Sequence, residues 1–157
     1  MEDFSRFISQ LKNDPSLSQL IFFKDHRKNY SYEDLIESAQ KIAYELQNSK
    51  NHFFALQMNS SYKLIVHLLA GLLAKKRMVI LSPKEPPHSV MSYKLSLGFD
   101  EVIYDDSLPE MTALPIGNIQ DSEILLSILS SGSSGPSKEI ALSVKNVMSS
   151  SFSVINF

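Results

Sequence analysis

The feature that most restricts the fold of this sequence is an alternation. Short apolar runs of strand length, Phe53-Phe-Ala-Leu-Gln57, Met78-Val-Ile-Leu81 and Glu101-Val-Ile-Tyr104, are separated by longer segments of helical spacing. The first such segment is predicted to be capped by Asn59 or Ser60 and to run through Ala74; the second starts at Pro86 and Pro87 and reaches about Ser96. Strand, helix, strand, helix, strand with short connections predicts an α/β fold, a parallel sheet with flanking helices. Upstream, Phe4, Phe7, Ile8 and Leu11 give residues 2–12 the apolar spacing of a short helix, which Asn13-Asp-Pro15 ends. Residues 20–23 and the stretch near Tyr30 form an expected strand pair around a turn at 24–29. Ser31 and Asp34 have the spacing of a capping box, opening a helix to about Gln47 whose Leu35, Ala39, Ile42, Ala43 and Leu46 share one face. Residues 105–121 are a polar connection containing Pro109, Pro115 and Gly117.

The chemistry is concentrated further on, in Ser130-Ser-Gly-Ser-Ser-Gly-Pro-Ser-Lys138. It follows an apolar strand-like run at 124–129 and precedes a second short strand at 139–142, after which Ser143 reads as the N-cap of a closing helix. Gly132 and Gly135 allow sharp turning and close approach of the backbone to a ligand. The hydroxyls of Ser130, Ser131, Ser133 and Ser134, with the loop amides, are donors suited to phosphate oxygens. Lys138 adds a positive charge. Stretches rich in Gly and Ser also serve as flexible linkers, but this one lies between two strands with no long polar run on either side. It is not a Walker loop, which needs four residues between its glycines and a Gly-Lys-Ser/Thr opening a helix.

Composition narrows the function classes. At 157 residues and 43% hydrophobic the chain has apolar material for a core, and a net charge of −2 gives no electrostatic footprint for nucleic acid or an anionic membrane. Without cysteine there are no disulfides or thiolate metal sites, which fits a cytoplasmic protein. The charged start, with Glu2, Asp3 and Arg6, lacks the apolar core of a signal peptide, and the longest apolar run, 64–74, is too short to span a bilayer.

Residues 130–146, SSGSSGPSKEIALSVKN, resemble the phosphate loop of the adenylate-forming superfamily, usually written TSGTTGKPKGVVLTHRN. Matching in place are Ser131, Gly132, the hydroxyls of Ser133 and Ser134, Gly135, Lys138, Leu142, Ser143 and Asn146. Ser137 replaces the usual proline, Val144 the usual histidine and Glu139 the usual glycine, so that a carboxylate adjoins the lysine. Residues 30–47 are similar to the family's TYRELxxxAxxLAxxL helix, and 54–83 to its run ending KAGAVxVPLxP, with Lys75-Lys76 in place of a small pair.

The resemblance implies the amino-terminal part of the large domain of an acyl- or aryl-CoA ligase. In such enzymes ATP and a carboxylic acid give an acyl-adenylate and pyrophosphate, and coenzyme A then takes the acyl group. By resemblance, Ser130, Ser131, Gly132, Ser133, Ser134, Gly135 and Lys138 hold the phosphates of ATP, and Mg2+ is a companion of the whole enzyme. The chain divides into a helical and strand entry (1–50), a strand–helix repeat (51–121) and a strand, loop, strand, helix unit (122–157). It covers only the front of the family's enzymes, so the fragment alone is expected to be inactive and to self-associate through surface meant for later strands. An early loop fits compact members such as the o-succinylbenzoate–CoA ligases of menaquinone synthesis. The alternative from another class is a stand-alone degenerate domain that binds or assembles without catalysis.

Other constellations have plainer explanations. Lys75-Lys-Arg77 is expected to be the solvated end of a helix, its charges complementing the dipole. His26, His52, His67 and His88 lack zinc-ligand spacing, and His67 is expected to be a hydrogen-bonded core or rim residue. Asp105, Asp106 and Glu110 read as an acidic turn, and the pairs Phe22-Phe23 and Phe53-Phe54 as core. No Gly-x-Ser-x-Gly elbow supports a hydrolase triad.

Overall fold

A computed structural model describes residues 8–10, 13–26, 28–59, 61–104, 124–130 and 138–155. The polar connection at 105–121 lies outside them, as do residues 131–137 of the loop and most of the expected helix at 2–12.

The chain first breaks at Asp14, whose carboxylate accepts from the Ser16 amide at 2.9 Å and starts a one-turn helix, α1 (Pro15–Ser18). Strands β1 (Ile21–Lys24) and β2 (Asn29–Ser31) pair antiparallel, as their spacing predicts. Helix α2 (Tyr32–Asn48) opens with the expected capping box: the Asp34 amide donates to Ser31 Oγ, and the Ser31 amide to the Asp34 carboxylate at 2.8 Å. Leu35, Ala39, Ile42, Ala43 and Leu46 are all buried, so the predicted face is the one that packs.

Next come β3 (Phe53–Gln57), α3 (Tyr62–Ala74), β4 (Arg77–Ile80), α4 (Pro87–Leu97) and β5 (Glu101–Tyr104), then β6 (Ile124–Ser130), β7 (Lys138–Ser143) and α5 (Val144–Ile155). The sheet order is β5-β3-β4-β6-β7, parallel through β6, with β7 antiparallel at one edge. The fold is therefore α/β, a mainly parallel sheet with flanking helices.

Alternation along the central strands sorts the core into two layers. Phe54, Leu56 and Met78 face α2 and α3, while Phe53, Ala55, Val79 and Leu81 pack with Val90 and Phe99 on the α4 side. Gly71 brings α3 close to β4, since a Cβ there would lie 2.5 Å from the tip of Met78. Winding first from β3 to β4 and then back past β3 to β5 parts the connections at the carboxyl ends of these strands, where open α/β sheets bind ligands.

Two expectations need correction. The cap of α3 is Ser61, a residue later than expected, and its side chain makes no cap hydrogen bond. Lys75-Lys-Arg77 is not a solvated helix end. Lys75 turns the chain in the left-handed conformation (φ 56°), which ends α3 at Ala74 and leads through Lys76 into β4. Lys76 is only 6% exposed, its ammonium donating to the carbonyls of Ser49 at 3.1 Å and Asn51 at 2.7 Å. Arg77 is the first residue of β4.

Candidate functional site

The glycine- and serine-rich loop joins two paired strands. Apolar residues in β6 and β7 favour the ladder, which runs from Ile124↔Ser143 to Ser130↔Lys138, so Ser130 and Lys138 stand opposite each other at the mouth of the loop. The Ser130 hydroxyl donates to the Lys138 carbonyl at 3.2 Å and closes the hairpin. Ser130 thus acts in shaping the loop, while the Lys138 side chain is exposed beside it. Of the other predicted residues, Ser131, Gly132, Ser133, Ser134 and Gly135 lie outside the described residues. At the far end of β7, Ser143 caps α5: the Asn146 amide donates to Ser143 Oγ at 3.2 Å, and the Ser143 amide returns a bond to Asn146 Oδ1 at 3.0 Å. Two residues of the quoted motif therefore hold the helix behind the loop.

Glu139 does not lean on Lys138. Its carboxylate pairs with the Arg77 guanidinium, reached across the intervening strand β6. Arg77 Nε donates to Ser127 Oγ at 3.1 Å on the way, and the guanidinium carbon lies 4.2 Å from the centre of the Phe53 ring. Ser127 is fully buried, so this bond supplies the partner that its hydroxyl needs. Sequence reasoning missed Arg77 as part of the site's surroundings. The available signal was an arginine opening an otherwise apolar strand, together with a glutamate where the loop pattern has glycine.

The described residues at the mouth thus present an exposed cation beside a hydrogen-bonded strand pair and a neighbouring carboxylate that is already paired. Among the described residues no group of three His, Asp or Glu side chains is placed to hold a metal. His67 is buried, with Nδ1 2.8 Å from the Lys63 carbonyl, and belongs to the core rather than to a site. No described helix is long and apolar enough to cross a membrane.

No protein-family model matches the sequence, and comparison with curated proteins finds no match. Solved structures do match. ATP-bound MatB from Rhodopseudomonas palustris superposes with a TM-score of 0.81 at 15% identity, over 99% of this chain and 38% of that one. The Klebsiella oxytoca NpsA N-terminal subdomain in complex with 3-hydroxybenzoyl-AMSN gives 0.76 at 16% identity, over 92% and 42%. VinN in complex with 3-methylaspartate gives 0.78 at 12% identity, over 98% and 51%. The chain thus spans between 38% and 51% of the length of these three. At such identities what is shared is the fold, the mainly parallel α/β sheet with flanking helices described above.

Proposed function

We propose that this chain is the amino-terminal part of a cytoplasmic, ATP-dependent ligase that activates a carboxylic acid as an acyl-adenylate and passes the acyl group to coenzyme A. One observation carries the reading. A hairpin whose closing pair is Ser130 and Lys138 stands on a fold that superposes along 99% of its length on an ATP-bound protein. In this reading the loop, with Ser131, Gly132, Ser133, Ser134 and Gly135, donates amides and hydroxyls to the β- and γ-phosphates of ATP. Ser130 keeps the loop closed, and Lys138 holds a positive charge against the pyrophosphate that leaves. ATP supplies the leaving group, and Mg2+ is held by residues other than those described. Catalysis of this kind comes from positioning and charge neutralisation.

The acid in this reading is o-succinylbenzoate, as in menaquinone synthesis. The 157 residues alone carry out no ligation, and they self-associate through the open β7 edge and the adjoining face, where Ile128 of β6 and Ile140 of β7 are 40% and 49% exposed. Calorimetric titration of the chain with ATP is the first test. Binding that Lys138→Ala weakens supports the reading, and a chain indifferent to ATP overturns it. Pyrophosphate exchange dependent on o-succinylbenzoate, in a protein containing this chain, tests the acid. The rival role, assembly without catalysis, rests on two departures from the loop pattern, Glu139 and the serine at 137 in place of proline; the pairing of Glu139 with Arg77 weighs against the first of them.

A further inference from the structure

We propose that Arg77 is a positioning residue for the phosphate loop: it engages the Glu139 carboxylate on one face of the sheet and so leaves the Lys138 ammonium to a polyphosphate on the other. The inference rests on reading the loop as a phosphate site. Lys138 and Glu139 are consecutive in β7, so the pleat sends their side chains to opposite faces. Pleating alone does not cancel the charge, because the two groups are still neighbours in the chain. Arg77 supplies the cancellation. Its guanidinium is held in place by the Phe53 ring at 4.2 Å and by Ser127 Oγ at 3.1 Å, and its side chain is 30% exposed against 26% for Glu139. A half-buried, stacked and hydrogen-bonded pair is better fixed than a solvated one.

The local charge count shows what the pair does. Arg77, Lys138 and Glu139 together carry +1 with the arginine and zero without it. Glu139 stands where the family's pattern has a glycine, and Arg77 gives its carboxylate a partner. An uncompensated carboxylate beside the lysine would draw the ammonium toward itself and repel the phosphates. Across a few ångströms of well-screened space that is worth about a fivefold loss of nucleotide affinity.

A double-mutant cycle tests this on the full chain, with ATP as the probe and calorimetry as the readout. Arg77→Gln is expected to weaken ATP binding about fivefold, Glu139→Gln not to weaken it, and the double variant to bind like Glu139→Gln alone. Melting temperature is the second readout. Arg77→Gln lowers it in both backgrounds, because the contact with Phe53 is lost either way, so recovery of affinity without recovery of stability separates positioning from general support. Should Arg77→Gln fail to fold, Arg77→Lys keeps the charge but loses the stacked, forked guanidinium, and is expected to weaken ATP binding only while Glu139 is present; an equal loss in the folded Arg77→Lys, Glu139→Gln double variant overturns the proposal. Equal weakening by Arg77→Gln with and without Glu139 also overturns it, since the arginine would then act on the phosphate or the loop directly. If Lys138→Ala weakens ATP binding and Arg77→Gln does not, the inference falls and the loop reading stands. If Lys138→Ala has no effect, or the unmodified chain does not bind ATP, the loop reading falls and the inference with it.

Discussion

The two rims of the sheet treat their polar groups in opposite ways. At the amino ends of β3, β4 and β5, charged and polar side chains are engaged by neighbouring groups of the chain itself. The Lys76 ammonium holds two carbonyls of the connection before β3, and Asp100 accepts from the His52 and Phe53 amides at 2.8 and 3.0 Å. Lys94 donates to the Asp100 carbonyl, and Asn51 reaches Glu101 at 2.9 Å. At the carboxyl end of β6 the bonding stops at the Ser130–Lys138 pair, beyond which Lys138 faces outward. A rim that satisfies itself is a structural device, whereas a rim that ends in an exposed cation beside a glycine- and serine-rich loop is arranged for something that arrives. If the contrast is real, substitutions at one rim move stability and at the other move nucleotide chemistry.

The largest effect is expected at the outward rim. In the proposed ligase, Lys138→Ala should slow adenylate formation more than it weakens binding of the carboxylic acid. Negative charge grows on the departing pyrophosphate as the α-phosphorus is attacked, so a cation there contributes most in the transition state. Such a group is typically worth about 2–4 kcal/mol, roughly 30- to 1000-fold in rate. Thermal stability should hardly change, because the side chain is exposed. Steady-state kinetics with a melting curve reads both; unchanged turnover with a lowered melting temperature would reverse the comparison.

Lys76→Met is the matching break at the amino-end rim. The substitution keeps the stem and removes the ammonium, leaving the carbonyls of Ser49 and Asn51 buried without their donor. The cost is expected at about 2–3 kcal/mol of stability, with ATP affinity of the folded protein unmoved. Urea unfolding followed by circular dichroism checks it, and a loss below about 0.5 kcal/mol would show that water replaces the lysine.

This difference between the rims also explains what was legible in the sequence. Periodicity identified every described strand of the central sheet and both central helices, because those signals are local: alternate residues of β3 and β4 meet different layers, and the apolar stripe of α2 is simply its buried face. The motif placed Ser130 and Lys138 together, since a hairpin of fixed length brings its ends opposite each other. What was not legible depended on long-range partners. Lys76 looked like surface because lysine usually is, and only the return of β3 beside β4 supplies the carbonyls that accept from it. Glu139 looked like a neighbour of Lys138 for want of knowing that Arg77, sixty-two residues earlier, lies across β6. The cap of α3 was misplaced because Asn59, Ser60 and Ser61 are all suitable cap types.

A smaller effect is expected from pH. The backbone amides of His52 and Phe53 hold the Asp100 carboxyl below the usual carboxylate range, the His52 bond contributing most. A depressed folded value means that the contribution to stability is complete above the unfolded value, near 4, and is lost as pH falls through the folded one. Asp34, chiefly through the Ser31 amide, and Asp14, chiefly through the Ser16 hydroxyl, are lowered too, so the acid limb is shared among the three. Melting temperature should therefore fall as pH drops below about 4, and Asp100→Asn should make that fall shallower. An unaltered acid limb would mean that the amides are served equally well by the neutral carboxyl.

The smallest effect is expected where the amino-end rim pays a backbone cost. Lys75 ends α3 at φ 56° and ψ 40°, a conformation in which a Cβ crowds the following carbonyl. It is held because the turn satisfies the end of the helix: the Lys75 amide reaches the Leu72 carbonyl at 3.2 Å, and the Lys76 amide the Gly71 carbonyl at 2.8 Å. Glycine adopts the same angles without the clash, which is worth about 1–2 kcal/mol. Against this stands glycine's greater freedom in the unfolded chain, about 0.5–1 kcal/mol. The net expectation for Lys75→Gly is a gain of roughly 0.5–1 kcal/mol, while Lys75→Ala, which keeps the Cβ, should gain nothing. Comparing the two by urea unfolding isolates the backbone effect from the loss of the lysine side chain. Because this turn leads through Lys76 into β4, which Arg77 opens, the glycine variant also probes how the rims are joined. A stabilised protein with unchanged ATP affinity would mean that the rims act independently. A change in affinity would mean that the turn sets how well Arg77 reaches Glu139.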